Sequence, residues 1–208
     1  MKKKKEPRIT PESAIKAALD ILEEDGLESV SLRRIAAKLN VQAPALYWHF
    51  QNKQDIINDM AQFILADNIK NLCKPSEPQK LAEWLVEMAH TLRNALLSHR
   101  EGARIVAGAG LDRARALAEL SELMTGVMRE AGFDECSSGI ATTTIIDYTF
   151  GYVIEEQAGY PAEPENVEDL YIQFPHLAAA YRAKESLSAA ELFDKGLNLI
   201  IQGIGSSK

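Results

Sequence analysis

The sequence has few of the residues that covalent or metal-held frameworks require. It contains only two cysteines, Cys73 and Cys136, which are too few for a disulfide framework or a structural zinc site. We expect both to be buried as small apolar side chains, in a protein of the reducing cytoplasm. No two histidines have metal-ligand spacing, and no cofactor or metal ion is predicted; the four are His49, His90, His99 and His176.

Long apolar runs and common enzyme motifs are also missing. No apolar stretch approaches the ~18 residues of a membrane span, and none follows the amino-terminal lysines as in a secretory signal. Residues 108–110 (GAG) match half of a nucleotide-binding fingerprint, but no predicted strand precedes them. There is no nucleophile elbow and no phosphate-binding loop. We therefore expect neither an enzyme nor a membrane partner.

An overall surplus of basic residues is lacking, since the net charge is −7. The charge is uneven, however. Residues 1–53 hold ten Lys and Arg against seven Asp and Glu, and the remainder holds 13 against 23. Such asymmetry indicates a nucleic-acid-facing end joined to an acidic body. The basic arm either contacts phosphates or the minor groove, or is a solvated tail; it consists of Lys2, Lys3, Lys4, Lys5 and Arg8.

What the chain does contain is a succession of helix signals. Thr10 precedes an amphipathic pattern that ends at Gly26, and Ser31 precedes a second, short helix. After a tight turn, a third helix is predicted over residues 43–50 and a fourth over about 53–72. Further helices are predicted from a capping box at Ser76 and Gln79 to about His99, at 103–109, 111–131 and 135–158, and from a second capping box at Ser188 and Glu191. Residues 159–175 are predicted to be a loop with at most a short helix.

A threonine-rich stretch, residues 142–146, suits a β-strand by composition. The apolar segment around it, about residues 140–158, is too long for a strand and has no hairpin partner. We interpret it as a buried helix. The predicted fold is all-α: an amino-terminal three-helix helix-turn-helix DNA-binding domain and a larger helical domain for dimerisation and ligand binding.

Residues 31–53 carry the functional signal. Two short helices separated by a tight turn, after an amphipathic helix, form a helix-turn-helix, whose second helix reads the major groove. Its apolar core is predicted from Leu32, Ile35, Ala36, Leu39, Val41 and Leu46. Its outward positions are Gln42, Ala43, Ala45, Tyr47, Trp48 and His49. The flanking cations, which are predicted to reach phosphates, are Arg33, Arg34, Lys38 and Lys53. Alternatively, the aromatic residues Tyr47, Trp48 and Phe50 fill a small core.

The stretch LYWHFQNK at residues 46–53 resembles the signature of the TetR family of bacterial transcriptional repressors. Residues 96–103, 151–157 and 192–197 are similar to segments of the C-terminal domain of the tetracycline repressor. The resemblance implies a DNA-binding domain at residues 1–53, a connecting fourth helix, and a ligand-binding and dimerisation domain at 54–208. It also implies a homodimer on a palindromic operator.

By motif position, the resemblance assigns DNA contacts to single residues. Arg33 would contact base edges, and Tyr47 and His49 would hold the phosphate backbone, with a further contact from Lys53. The tip of the recognition helix would be formed by Ala43, Pro44 and Ala45. Ala43 and Ala45 replace Gln and Thr of the tetracycline repressor, so a different operator is expected because methyl groups cannot read purine edges.

The resemblance also implies a ligand pocket, but not one for magnesium-bound tetracycline. Val106 stands at the metal-chelating His position, and Ile69, Met88, Leu92 and Met124 replace drug-contacting residues, whereas Glu155 of the magnesium-linked set is retained. We therefore expect a hydrophobic, metal-free inducer. The pocket is predicted to be lined by Ile69, Trp84, Met88, Leu92, Val106, Met124, Met128, Asp147 and Glu155.

Two alternatives stay open for this second domain. Methionine and aromatic side chains at helical spacing also suit a simple core. Asp147 and Glu155, if buried, need a partner such as Arg104, a cationic ligand or a second subunit. An architectural DNA-binding dimer without a small-molecule inducer is the alternative function.

Overall fold

The computed structural model describes residues 9–70, 72–75, 80–111, 113–159 and 167–205. Every regular element within these ranges is helical, which confirms the all-α fold. They are α1 (Pro11–Asp25), a 3₁₀ turn (Leu27–Ser29), α2 (Leu32–Lys38), α3 (Pro44–Tyr47), α4 (Lys53–Ile69), α5 (Leu81–Leu97), α6 (Gly102–Ala107), α7 (Arg115–Glu130), α8 (Glu135–Ala158), α9 (Val167–Gln173), α10 (Pro175–Lys184) and α11 (Ala189–Gly205). The basic arm and the predicted capping box at Ser76 and Gln79 lie outside the described residues. No helix of this described part is long and apolar enough to cross a membrane.

The amino-terminal helices begin where their capping residues predict. Thr10 accepts from the Ser13 N–H at 3.1 Å and begins α1. Ser31 begins α2 in the same way, and Asn52 begins α4 by accepting from Asp55 N–H at 3.0 Å. Each side chain satisfies one of the main-chain donors that a helix start leaves without an intrahelical partner. We refer to α1–α3 as the head.

The third and fourth helices are shorter than predicted. The third ends at Tyr47 instead of Phe50, although the chain continues in tight turns, with the N–H groups of His49 and Phe50 both donating to Leu46 O at 2.9 Å. The fourth ends at Ile69 instead of about Leu72. In both cases a helical hydrophobic pattern continues into the turn beyond the helix.

We call the helices that follow α4, which are α5–α11, the body, and helix α8 lies at its centre. It packs on α5, α6, α7 and α11. Its threonine-rich stretch is helical and partly buried, which confirms the interpretation as a buried helix. The buried hydroxyl of Thr149 donates to Ile145 O at 2.8 Å, and that of Thr142 lies 3.2 Å from Thr125 Oγ1. Because these hydroxyl groups find partners, β-branched residues are tolerated there.

The carboxyl-terminal helix α11 begins with the predicted capping box. The Ser188 N–H donates to Glu191 Oε2 at 2.8 Å, and the Glu191 N–H donates to Ser188 Oγ at 3.3 Å. Helix α11 lies against α8, where Gly196 allows close approach: a Cβ there would collide with the Tyr148 hydroxyl. Helix α9 lies within the predicted loop, and α10 was not predicted, because only its Ala178 is buried.

The expectation that the two cysteines are buried is wrong. Cys73 lies after α4 and Cys136 in the first turn of α8, and both are exposed free thiols. Each is adjacent to polar or charged residues at a helix boundary, where no packed layer covers it.

Candidate nucleic-acid interface and ligand site

The end of the third helix and the turn that follows it are aromatic and exposed. Tyr47 is 56% exposed and Trp48 88% exposed, whereas Phe50 is only 1% exposed and packs in the core. The alternative that all three aromatic residues fill a small core therefore holds for Phe50 alone. His49 is also exposed, and its ring contacts that of Phe50 with centroids 6.4 Å apart.

The residues at the tip of α3 are small and accessible. Gln42 and Pro44 are exposed, and Ala43 and Ala45 are half-buried. Pro44 is the first helical residue, where its missing N–H costs no hydrogen bond. The tip therefore presents the Gln42 side chain beside methyl and methylene groups, a surface that can approach a groove closely.

The three cations of α2 differ in their partners. Arg34 pairs with Asp25 of α1, and Lys38 Nζ lies 2.7 Å from Glu24 Oε1 on the same helix. Arg33 is exposed and has no ion pair or hydrogen bond with the other described residues. Arg34 and Lys38 therefore join α2 to α1, whereas Arg33 is the cation of α2 that has no such partner in the described part of the chain.

Lys53 has a second role besides the one predicted. It begins α4 and its Nζ donates to Leu27 O at 3.1 Å, in the 3₁₀ turn after α1. The side chain is half-buried. Lys53 thus joins the start of α4, the connecting helix, to the head.

A row of amide side chains on α4 binds the main chain that follows α6 and the first turn of α7. Gln54 Nε2 donates to Gly108 O at 2.8 Å, Asn58 Oδ1 accepts from the Gly110 N–H at 3.1 Å, and Gln62 Oε1 accepts from the Ala116 N–H at 2.8 Å. The spacing of four residues places all three on one side of the helix.

Beside this row, Asp59 Oδ1 lies 3.8 Å from Arg113 Nη2. Burial raises the pKa of Asp59 and outweighs the opposing charge of Arg113. Together with the amide row, this contact couples α4 rigidly to the turn that follows α6.

Seven of the nine predicted ligand-site residues are buried in the apolar core, which extends from the head through α4 into the body. Trp84 and Met88 border an open cleft of about 330 Å³ between α5 and residues 72–75, which follow α4, and the Trp84 indole N–H donates to Cys73 O at 2.8 Å. The other five are buried in the same apolar cluster: Ile69, Leu92, Val106, Met124 and Met128.

Asp147 and Glu155 are not part of this group. Both lie on the exposed side of α8 in the single chain, so they do not need the partner that buried carboxylates would require. Among the described residues Arg104 forms no ion pair with either carboxylate, and its Nη1 lies 2.8 Å from Glu101 Oε2. Spacing along α8 explains the placement, since the buried positions Ile145, Thr149 and Val153 lie on a different side of the helix.

A polar cluster between α5, α8 and α11 was missed in the sequence. Arg93 is buried, and its Nη2 donates to the two carboxylate oxygens of Glu156 at 2.6 and 2.8 Å, while its guanidinium lies 5.3 Å from the centre of the Phe193 ring. His90 Nε2 lies 2.7 Å from Asp194 Oδ1. These partners are far apart in sequence, so no local pattern could have revealed them.

Tyr148 completes this cluster by donating to Phe193 O at 2.9 Å. Burial raises the pKa of Tyr148 to about 12. Across the described ranges, no group of three or more His, Cys, Asp or Glu is placed to hold a metal ion.

Two family models match the chain. The model of bacterial regulatory proteins of the tetR family matches residues 14–60, which contain the helix-turn-helix. The model of the tetracyclin repressor-like C-terminal domain matches residues 74–207. A curated relative, the tetracycline repressor protein class A from transposon 1721 of Escherichia coli, is 35% identical over 207 residues, covering 97% of this chain and 93% of the relative.

Solved structures show the same similarity. A possible TetR family transcriptional regulator from Streptomyces coelicolor A3(2) has a TM-score of 0.83 and 31% identity, covering 96% of this chain and all of that one. BioQ with its natural double-stranded DNA operator has a TM-score of 0.69 and 26% identity, covering 95% of this chain and 99% of that one.

Proposed function

The chain belongs to the tetR family of bacterial regulatory proteins, and on that premise we propose that it is a transcriptional repressor that binds a palindromic DNA operator as a homodimer and is released by a small hydrophobic ligand. The observation that carries the proposal is the exposed surface formed by the end of α3 and the turn after it. Tyr47, Trp48 and His49 are exposed there, and Arg33 on α2 is exposed and unpaired. An exposed aromatic and basic face on the second helix of a helix-turn-helix is suited to the major groove.

We divide the work on DNA among these residues. Arg33 reads base edges, and Tyr47, His49 and Lys53 contact phosphates. The tip of α3 enters the groove through Gln42, Ala43, Pro44 and Ala45. Its alanine methyl groups favour contact with thymine methyl groups over hydrogen bonds to purines. Residues 1–53 act as the DNA-binding domain and residues 54–208 as the dimerisation and ligand-binding domain.

The dimer face proposed for the body lies on α8 and α11. Large apolar side chains are exposed on both helices, Ile140 on α8 and Leu199 on α11. A Cβ added at Gly139, Gly151 or Gly203 would meet no other atom within 4 Å in the single chain, which leaves room for a second copy. Two-fold pairing would place the two recognition helices roughly 34–36 Å apart, one turn of DNA.

The proposed inducer binds among the apolar residues that face α4, entering at the cleft beside Trp84 and Met88. The relative that is 35% identical is named for tetracycline, but this chain has Val106 where that resemblance places a chelating His. Aliphatic and thioether side chains are poor ligands for magnesium. We therefore propose a metal-free, hydrophobic effector for this chain.

Ligand entry is proposed to act through α4. Insertion beside Ile69 and Val106 displaces α6 relative to α4, and the amide row of Gln54, Asn58 and Gln62 transmits the shift. Because Lys53 joins α4 to the head, the two recognition helices then leave their one-turn spacing. Release requires the ligand to prefer the DNA-incompetent state, typically by about 1–3 kcal/mol. We attribute no chemical reaction to the chain and place its action in the cytoplasm.

Selection of bound duplexes from random DNA tests the DNA part of the proposal. We expect enrichment of a palindrome whose half-sites lie one helical turn apart. Tyr47→Ala should abolish enrichment, whereas Tyr181→Ala, which removes a tyrosine of similar exposure from α10, should not. Enrichment of asymmetric sites, or none with the unmodified protein, would refute the proposed operator.

A panel of apolar, metal-free compounds tests the ligand part, with thermal unfolding and operator release as readouts. A compound that raises the unfolding temperature should also release operator. Met88→Ala should weaken its binding, whereas Met60→Ala, another fully buried methionine, should leave the Kd unchanged. If no compound stabilises the protein or releases DNA, the result favours the alternative function, an architectural DNA-binding dimer without an inducer.

A further inference from the structure

The corner between α5 and α6 contacts the head directly, without passing through α4. The main-chain N–H of Arg100 donates to Glu23 Oε1 at 3.0 Å, and its guanidinium Nη1 donates to Glu23 O at 3.2 Å and Glu24 O at 3.4 Å. These carbonyl groups belong to the last turn of α1, where intrahelical donors are lacking. Arg100 thus caps the carboxyl end of α1, where the helix dipole also favours a cation.

Glu101 binds the next residues of the head. Its Oε1 accepts from the Leu27 N–H at 2.9 Å, and its Oε2 pairs with Arg104. The backbone of Glu101 is left-handed, with φ 52°, which is uncommon for a residue that has a Cβ. Opposite it, Gly26 has φ 82°, and a Cβ there would lie only 2.9 Å from Glu101 Oε1. Both chain segments are shaped for this contact.

Gln157 of α8 fixes the same corner from the other side. Its Nε2 donates to Leu96 O at 3.0 Å and to His99 O at 2.8 Å, and its Oε1 accepts from the Ala103 N–H at 3.2 Å. A single amide side chain thereby spans the end of α5, the corner and the start of α6. The corner is connected to α8 through Gln157 and to the head through Arg100 and Glu101.

We propose that Arg100, Glu101 and Gln157 form an interdomain latch that holds the head at the angle at which the dimer binds operator. The proposal rests on the proposed function, and it adds a connection from α8 to the head that is independent of α4. A head held only by α4 rotates more freely, so DNA binding must order it. Operator affinity then falls although every DNA-contacting side chain is present.

The test uses full-length dimer and two readouts. The first is operator affinity at several salt concentrations. The second is the distance distribution between spin labels on the two heads, placed at Lys16→Cys with Cys73 and Cys136 changed to Ser. We expect Glu101→Ala and Gln157→Leu each to lower operator affinity by about 5–150-fold, the usual range of coupling between sites, and to broaden the head-to-head distances. The salt dependence should stay as in the unmodified protein.

Matched variants separate the latch from general destabilisation. Glu101→Gln keeps an oxygen that accepts from the Leu27 N–H. It should therefore recover at least half of the operator affinity that Glu101→Ala loses. Arg115→Ala removes an exposed ion pair with Glu119 on α7, far from the latch in the chain, and should change neither readout. The double variant of Glu101→Ala and Gln157→Leu should bind operator no more weakly than whichever single variant binds it less tightly. The two losses are not additive because both changes disrupt the same set of contacts.

Wild-type affinity together with a wild-type distance distribution in both single variants would overturn the latch, as would additive losses in the double variant. If the unmodified protein binds no DNA, the proposed function fails, but the distance measurement on free dimer still decides whether the latch restrains the head. Thermal unfolding of each variant shows whether it is folded. If Glu101→Ala does not fold, Gln157→Leu alone tests the latch.

Discussion

Arg33→Gln should weaken operator binding strongly and Arg34→Gln very little, although the two residues are neighbours on α2. Arg34 pairs with Asp25, and both side chains are about half exposed, so Arg34→Gln should change folding stability by only about 0–1 kcal/mol and operator affinity very little. The Arg33 side chain has no partner among the described residues and is the base contact proposed above. A good arginine contact to a base contributes about 1–3 kcal/mol of discrimination.

The two-fold dimer doubles this effect. Losing Arg33 from both half-sites should cost roughly 2–6 kcal/mol on the selected operator, or about 30-fold to 20,000-fold in Kd. The loss should be much smaller on random duplex, because a base contact adds nothing to non-specific binding. Titration of both duplexes at one fixed salt concentration, by fluorescence anisotropy, measures the two affinities and their ratio.

Two results would refute this reasoning. If Arg34→Gln weakened operator binding as much as Arg33→Gln, the ion pair with Asp25 would not hold Arg34 away from DNA. If Arg33→Gln weakened operator and random duplex equally, Arg33 would contact phosphates and not base edges. Circular dichroism and thermal unfolding of both variants verify that the head remains folded.

Three further predictions concern stability, each measured by urea unfolding of the dimer at fixed protein concentration. Gly196→Ala should lower the free energy of unfolding by about 1–3 kcal/mol because its Cβ collides with Tyr148, whereas Gly126→Ala, with nothing within 4 Å, should raise it by about 0.5–1 kcal/mol. Arg93→Met leaves the half-buried Glu156 carboxylate without its partner and should lower the free energy of unfolding by up to about 3 kcal/mol. Glu156→Gln should lower it by less, and equal losses from the two variants would contradict this. Because the pKa of Tyr148 is raised from 10.0 to about 12, the folded state holds the phenolic proton more tightly, so stability should fall as pH rises from 10 to 12, and Tyr148→Phe should remove that part of the decline.

The starts of α1, α2 and α4 could be predicted because their signals are local. Thr10, Ser31 and Asn52 each cap a helix through a main-chain N–H only three residues away. The end of α3 could not be predicted as well, because Phe50 continues the apolar pattern from a turn. Helix α10 has almost no buried residue, and so lacks the hydrophobic periodicity that identifies an amphipathic helix.

The functional surface was predictable in position but not in electrostatics. The sequence places Arg33, Arg34 and Lys38 on one short helix, yet only the three-dimensional packing of α2 on α1 shows which of them have acidic partners. In the same way, a resemblance assigns Asp147 and Glu155 to positions in α8, but not to a buried or an exposed side. Contacts between residues far apart in sequence decide both cases, as they do for Arg93 and Glu156.

The two tryptophans are distributed so that each part of the molecule carries its own optical probe. Trp48 lies in water on the head, whereas Trp84 is buried beside the cleft of the body. Emission from Trp48 should be red-shifted and should change when DNA covers it, and emission from Trp84 should respond to an occupant of the cleft. With Trp48→Phe or Trp84→Phe, intrinsic fluorescence would follow one event at a time, and stopped-flow mixing would show whether the body responds before the head leaves DNA.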